Sequence, residues 1–545
     1  MSSLLETVPY DVLTQVAFHT AAGSIFGPPS SLPSLLLTSR TLYRELNPKA
    51  CPQLYARLFD RQFDSPTLFT WDSCPATSTT LSDEYIARQR LLRRSRMATW
   101  SDESLLRDMR CALRMVIESD GTNEVSLAVD RFPEQLLCLA ETYLSDNGEN
   151  DSRELKCLII WLLSLTISRG DITKISPERQ GSLCFLLKPF TVEAASVDVQ
   201  TVWFSELATF YRDSIAPSRP SNLGQVNELP SILFGSPLHL SVLQPCFPAI
   251  TVICALKEAT PILAPPTLPE TRAIAVANQL TGPTQEDLHE FNNRLTPLFA
   301  DPVPREHSST SFTLPGRCRS HDPEFYGLFG LEDENVTGGS RTYRSADTFS
   351  GLWKGCWLLE SNDEGIDFEL RRPMEVSIRS YHCFSAVSDV PQLLSEDPLD
   401  MTVFPYHVSS ESHDDFERLL EQHHYFEESE SVGESEQLQR VEETSEGGSD
   451  PQDSRGNSRH IVDTILFGET TNDHDQAWQG YRYTGRAHAD GLVILKREPK
   501  NRAEEYLGIA VFQGRLRFGG SLVGSWRGST AQQQGIFTLV KASRT

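Results

Sequence analysis

The sequence predicts a multidomain α+β protein with an N-terminal helical module, a helical middle region and a C-terminal antiparallel β-barrel interrupted by a disordered acidic insertion. Three observations predict it. Apolar residues recur at three and four positions as far as about residue 293; short β-branched and aromatic runs punctuated by glycine follow Tyr481; and a strongly acidic stretch lies between. At 545 residues the chain has room for about three to four domains, and 39% hydrophobic content supplies several cores.

Along the chain, the first elements are two short apolar helices between residues 8 and 46. Val8, Val12, Leu13, Val16 and Ala17 fall on one face, and Pro9 carries the fixed φ that a first helical turn tolerates. Ala22-Gly23 through Pro28-Pro29 breaks the pattern. A second helix opens after Ser30-Ser31, with Leu32, Leu35, Leu36, Leu42, Tyr43 and Leu46 as its stripe. Helix continues through Leu54 to Phe59. Further helical patterns cover Tyr85–Thr99, Leu105–Glu118, Pro133–Leu144, Leu155–Ser168 and Val197–Tyr211. The Arg88, Arg90, Arg93, Arg94 and Arg96 cluster reads as the solvated face of the helix containing Leu91 and Leu92. No repeat of 20 to 50 residues points to a solenoid.

Gly, Ser, Asp and Arg dominate a connector before Phe349, where strand character begins. Tyr481–Arg486, Gly491–Lys496, Tyr506–Phe518, Ser521–Arg527 and Gly535–Ala542 read as strands of a closed antiparallel sheet. Tyr483-Thr484-Gly485-Arg486 resembles Phe512-Gln513-Gly514-Arg515 at an offset of 29 residues, as successive hairpins would, with glycines where a small barrel bends. Between the early and late strands, residues 411–455 hold fifteen Asp and Glu against three Arg, a net of −12 that is about half of the chain's −25. So polar a segment lacks the apolar surface to order itself. His423-His424 within it form no shaped metal shell and read as solvated. The expected boundaries are 1–65 for the N-terminal helices, 66–311 for a helical scaffold, 312–348 for a connector, 349–410 and 456–545 for the barrel, and 411–455 for the insertion.

Composition excludes several functions. The charge of −25 opposes nucleic-acid binding. The longest apolar run, Cys157 to Ile167, is too short to cross a bilayer, and no secretory signal opens the chain. Eleven cysteines without a CxxC pair point to reduced thiols in the cytoplasm or nucleus and to no zinc site, and Asn335-Val336-Thr337 is then an incidental glycosylation spelling. Neither a phosphate-binding Gly-rich loop, a Gly-x-Ser-x-Gly elbow, a His-Glu-x-x-His helix nor a dinucleotide fingerprint is spelled out, so a non-catalytic role without cofactor or metal is expected.

The first two helices resemble an F-box. Pro9, Leu13 and Leu36 match its pattern; Val8 stands for the usual Leu, Asp11 for Glu and Leu42-Tyr43 for Trp, and the loop from Ala21 to Ser31 is longer than typical. The C-terminal part, with Gly351-Leu352-Trp353-Lys354-Gly355, resembles the β-barrel of fungal F-box proteins and of animal F-box-only relatives with that motif. The resemblance implies a substrate-recognition subunit of an SCF-type cullin-RING ubiquitin ligase. Val8, Pro9, Val12, Leu13, Val16, Leu32, Leu36 and Leu42 would bind a Skp-type adaptor, and Trp353, Trp357, Arg486, Arg515 and Trp526 a target protein at one barrel rim. Trp353 and Trp526 beside glycines also suit a barrel core. A small-molecule-binding barrel, or an F-box scaffold working outside a ligase, are the alternatives.

Overall fold

The structure, a computed structural model, describes residues 8–23, 26–27, 29, 31–64, 77–117, 119, 121–145, 153–196, 229–233, 236–238, 245–280, 282–293, 349–360, 368–384, 425–427, 461–487, 492–500, 508–517, 521–528 and 533–542. The chain divides into two compact units, Met1–Val252 with Phe299–Leu331, and Ile253–Leu298 with Glu332–Thr545.

The first unit is helical: α1 (Tyr10–Ala21), α2 (Ser31–Thr38), α3 (Arg40–Leu46), α4 (Pro52–Gln62), α5 (Ser78–Met97), α6 (Asp102–Ile117), α7 (Thr122–Val129), α8 (Phe132–Ser145), α9 (Arg153–Thr166), α10 (Arg169–Thr173) and α11 (Pro177–Ser196). A small hairpin, β1 (Leu229–Leu233) with β2 (Ser236–Leu238), precedes α12 (Cys246–Glu258), within which the division falls. Where one helix is expected over residues 31–46 there are two. Ser39 adopts an extended conformation and its hydroxyl accepts the Thr41 N–H at 3.1 Å, ending α2 and capping α3. α9 is buried all round from Cys157 to Leu165, which is why its sequence shows a continuous apolar run. The expected helix over 197–211 lies outside the described residues.

Of the arginine cluster on α5, Arg90 and Arg93 are exposed as expected of a solvated face, while Arg88, Arg94 and Arg96 depart from it. Arg88 is fully buried, bonded to Glu84 at 3.1 Å and stacked over Phe59 and Phe63; Arg94 pairs with Asp108 and Arg96 with Asp130, each at 2.5 Å. Carboxylates brought from α6 and the turn after α7 neutralise charges that a single-helix pattern leaves facing water.

The second unit holds α13 (Arg272–Ala277), α14 (Gln285–Asn293), β3 (Gly351–Glu360), β4 (Phe368–Phe384), β5 (Tyr425–Glu427), β6 (Ile461–Thr470), α15 (Asn472–Trp478), β7 (Tyr481–Ala487), β8 (Leu492–Pro499), β9 (Ala510–Arg517), β10 (Ser521–Gly528) and β11 (Gln534–Lys541). β3, β4 and β6 to β11 each pair antiparallel with the next, and β11 returns to β3, closing an eight-stranded up-and-down barrel. Following the paired residues once round the barrel shifts the register by about ten residues, a stagger that goes with strands tilted by roughly 40°. Closure leaves no edge among these eight strands.

Alternation decides what fills the barrel. Trp353, Val376, Leu466, Tyr483, Leu495, Phe512, Trp526 and Phe537 point inward and form one core. Gly355, Gly485, Gly514 and Gly524 share their inward parity and make room for the rings: a Cβ on Gly514 would sit 2.9 Å from the Phe537 ring. The similar segments 29 residues apart do occupy equivalent places, Gly485 on β7 and Gly514 on β9 opening successive hairpins.

Within the segment expected to be disordered, Tyr425–Glu427 form a strand on β4, a correction with a simple cause. Tyr425 buries against Tyr381, Cys383, Ile465 and Phe467, so one aromatic pair anchors residues that charge alone marks as unstructured. The rest of 411–455, including His423-His424, lies outside the described residues. Residues 253–293, on the scaffold side of the expected boundary, group with the barrel: Arg371 of β4 donates to the Lys257 and Thr260 carbonyls and lies 4.8 Å from the Phe291 ring centre.

Candidate functional site

Two surfaces stand out, one in each unit. In the first, α1 is apolar on two neighbouring stripes. Leu13, Ala17 and Ala21, four residues apart, are at most 2% exposed, as are Leu32, Leu42 and Leu46. Pro9, Val12 and Val16, three and four apart, form the adjoining stripe and stay open, Val12 at 46% and Val16 at 39%. Tyr10, Leu37 and Tyr43 are exposed in the same helical group. The eight expected adaptor contacts therefore separate by role. Leu13, Leu32 and Leu42 hold the helices together, Pro9, Val12 and Val16 are free to touch a partner, and Val8 and Leu36 are half-buried.

In the second unit the site is one mouth of the barrel, where the connection from β6 to β7 carries α15. Thr471 caps α15 by accepting the His474 N–H, and its hydroxyl donates to Glu375 of β4 at 3.0 Å. This fixes the helix so that His474 and Trp478 line a void with Trp357, Arg372, Tyr481, Tyr483 and Arg497. The void measures about 10 Å³, room for about one water.

Arg497 is the unusual group. Its parity with Val493 and Leu495 turns it into the barrel, where it is 7% exposed. Its guanidinium lies 4.3 Å from the Tyr481 ring centre, 5.5 Å from Phe512 and 5.7 Å from Trp357. Its Nε has no acceptor. Burial raises the Tyr483 phenol well above its ordinary value, and the Arg497 charge opposes the rise. Arg372, exposed on β4 directly opposite Trp357, brings a second guanidinium to 5.7 Å from the same indole.

The carboxylates around this mouth are taken by other cations. Glu375 pairs with Lys354 at 3.3 Å, Glu469 with Arg482 at 3.3 Å, Asp475 with Lys500 at 3.6 Å and Glu498 with Lys496 at 2.5 Å. Among the described residues, no carboxylate lies within ion-pair distance of Arg497 or Arg372. Cation–π contacts worth about 1 kcal/mol each offset part of the cost of burying the Arg497 charge.

Of the five residues expected to bind a target, Trp357 alone lines this void. Trp353 is core, its indole N–H donating to the Phe349 carbonyl at 2.7 Å; Trp526 is core, donating to Leu358 at 2.9 Å. Arg486 and Arg515 lie on the outward parity of β7 and β9, Arg515 buried at 2%. Sequence reasoning passed over Arg497, Arg372, Trp478 and His474. The available signal was parity: in Val493-Ile494-Leu495-Lys496-Arg497 the arginine falls on the apolar face.

Among the described residues there is no cluster of His, Cys, Asp and Glu suited to a metal, and no helix is long and apolar enough to cross a membrane. No protein-family model, curated protein or solved structure matches the chain.

Proposed function

We propose that this protein is the substrate-recognition subunit of an SCF-type cullin-RING ubiquitin ligase, itself non-catalytic and acting in the cytoplasm or nucleus. The N-terminal helices dock a Skp-type adaptor and the barrel holds the target. The observation that carries the reading is the open stripe of Pro9, Val12 and Val16 beside a fully buried one on the same short helix. An isolated surface helix needs one apolar face; α1 has a second that its own chain leaves uncovered. Tethering then does the chemical work, since holding a target lysine near a charged conjugating enzyme raises its local concentration to about the millimolar range.

The test is co-expression with a Skp-type adaptor followed by size-exclusion chromatography. The wild type co-elutes with the adaptor. Val12→Asp combined with Val16→Asp abolishes co-elution and leaves the far-UV circular dichroism unchanged, because both side chains already face solvent. Undiminished co-elution of that variant refutes the reading. An Asp at Leu13 would not make the same distinction, since a charge at a 1%-exposed position disrupts the helices themselves.

A further inference from the structure

We propose that the barrel mouth between Arg372 and Arg497 is a binding site for a single oxyanion group, a phosphoryl or carboxylate carried by the target on a side chain. The inference deepens the receptor reading and rests on it for the identity of the carrier, although anion binding itself can be measured without any adaptor.

The reasoning starts from charge. In a chain of net −25, carboxylates are abundant, and those beside this mouth are each matched to a lysine or to Arg482. Among the described residues, Arg497 is sunk into the barrel's aromatic core with its Nε lacking an acceptor and no carboxylate at ion-pair distance. A buried guanidinium without a counter-ion is retained at a cost, and a ligand that supplies the negative charge removes that cost on binding.

Geometry sets the size of the ligand group. Trp357 lies 5.7 Å from each of two guanidiniums, contributed by β4 and β8, and all three side chains line the one void. Arg372 is at the surface and Arg497 is below it, so an anion entering from solvent meets the first and seats on the second. The void of about 10 Å³ admits the tip of such a group and no larger body. The Trp357, Trp478 and Tyr481 rings that line it lower the local polarity, and a guanidinium–oxyanion bond is stronger in such surroundings.

The experiment uses the full chain and three salts at matched ionic strength: sodium phosphate, sodium acetate and sodium chloride. Thermal unfolding in phosphate, acetate or both rises saturably above that in chloride, by about 3 °C at a tenfold excess over the dissociation constant. Arg497→Met removes the rise and melts no lower than wild type in chloride, because an uncompensated buried charge is gone. Arg372→Gln, at an exposed position, weakens the anion about tenfold. A response to phosphate alone assigns a phosphorylated side chain, and one to acetate as well assigns Asp or Glu. No rise with either anion, an equal rise in Arg497→Met, or unaltered affinity in Arg372→Gln overturns the proposal. Adaptor co-elution, which depends on Val12 and Val16, is measured on the same variants, so failure at the barrel mouth and failure of the receptor reading are separately visible.

Discussion

Closure of the barrel depends on Gly355, and replacing it by Ala tests this directly. Gly355 of β3 faces Leu539 of β11 across the ladder that joins the last strand to the first. A Cβ there would lie 1.9 Å from the Thr538 carbonyl oxygen and 2.9 Å from the Leu539 Cα. Those are backbone atoms, so no side chain can swing aside; the two strands must part. An overpacked core site costs up to about 3 kcal/mol, and this one belongs at the top of that range. Because about 1.4 kcal/mol is a factor of ten, opening of the β3–β11 ladder becomes roughly a hundredfold more frequent. Hydrogen exchange read by mass spectrometry on peptides from β3 and β11 measures it, with acceleration strongest there and weaker on β7 and β8. Gly181→Ala is the matched control. That glycine lies in α11 with nothing within 4 Å of a built Cβ, so Ala stabilises the helix by about 0.5–1 kcal/mol. Unchanged exchange on β3 and β11 in Gly355→Ala would falsify the account of how the barrel closes.

Other outcomes follow from burial and bonding. Burial pushes the Cys111 and Cys356 thiols up to about 12, whereas Cys138 is exposed. Among the nine described cysteines Cys138 is alkylated first by iodoacetamide at pH 8, and Cys111 and Cys356 react only on unfolding, as peptide mapping will show. Tyr483 has its folded pKa raised, so its contribution to stability is complete below the unfolded value near ~10 and is lost as pH climbs towards the folded one. Tyr483→Phe therefore loses less stability than wild type between about pH 10 and 11, measured by urea melts. Trp526→Phe gives up the bond to the Leu358 carbonyl and leaves that acceptor buried, destabilising the barrel by about 2 kcal/mol; a melt matching wild type would sink this view of Trp526 as a strand-to-strand tie.

The alternation of apolar residues and glycine in the last third of the chain was enough to mark five of the barrel strands, β7 to β11, within a few residues of their observed ends. β4 and β6 escaped notice. β4 runs through Arg371-Arg372-Pro373 and β6 through Asp463-Thr464, where polar residues interrupt the apolar alternation; the Arg371 guanidinium bonds the Lys257 and Thr260 carbonyls, partners far away in sequence. The candidate site was legible only in its aromatic part. Trp357 lines the mouth, whereas Arg486 and Arg515 lie on the outward parity of their strands.

What the sequence by itself determined is periodicity: which residues are helical, which alternate, and hence that this is a helical chain ending in a glycine-bent antiparallel sheet. It also placed Val12, Leu13, Val16 and Ala17 on one apolar face of α1. Only the tertiary structure divided that face into a covered stripe of Leu13 and Ala17 and an open one of Val12 and Val16, because the division depends on how α2 and α4 pack against α1. Only it decided that Arg497 has no counter-charge among the described residues. The sign and spacing of charges along the chain cannot say which carboxylates reach which cations once eight strands close, and here Lys354, Arg482, Lys496 and Lys500 are the cations they reach.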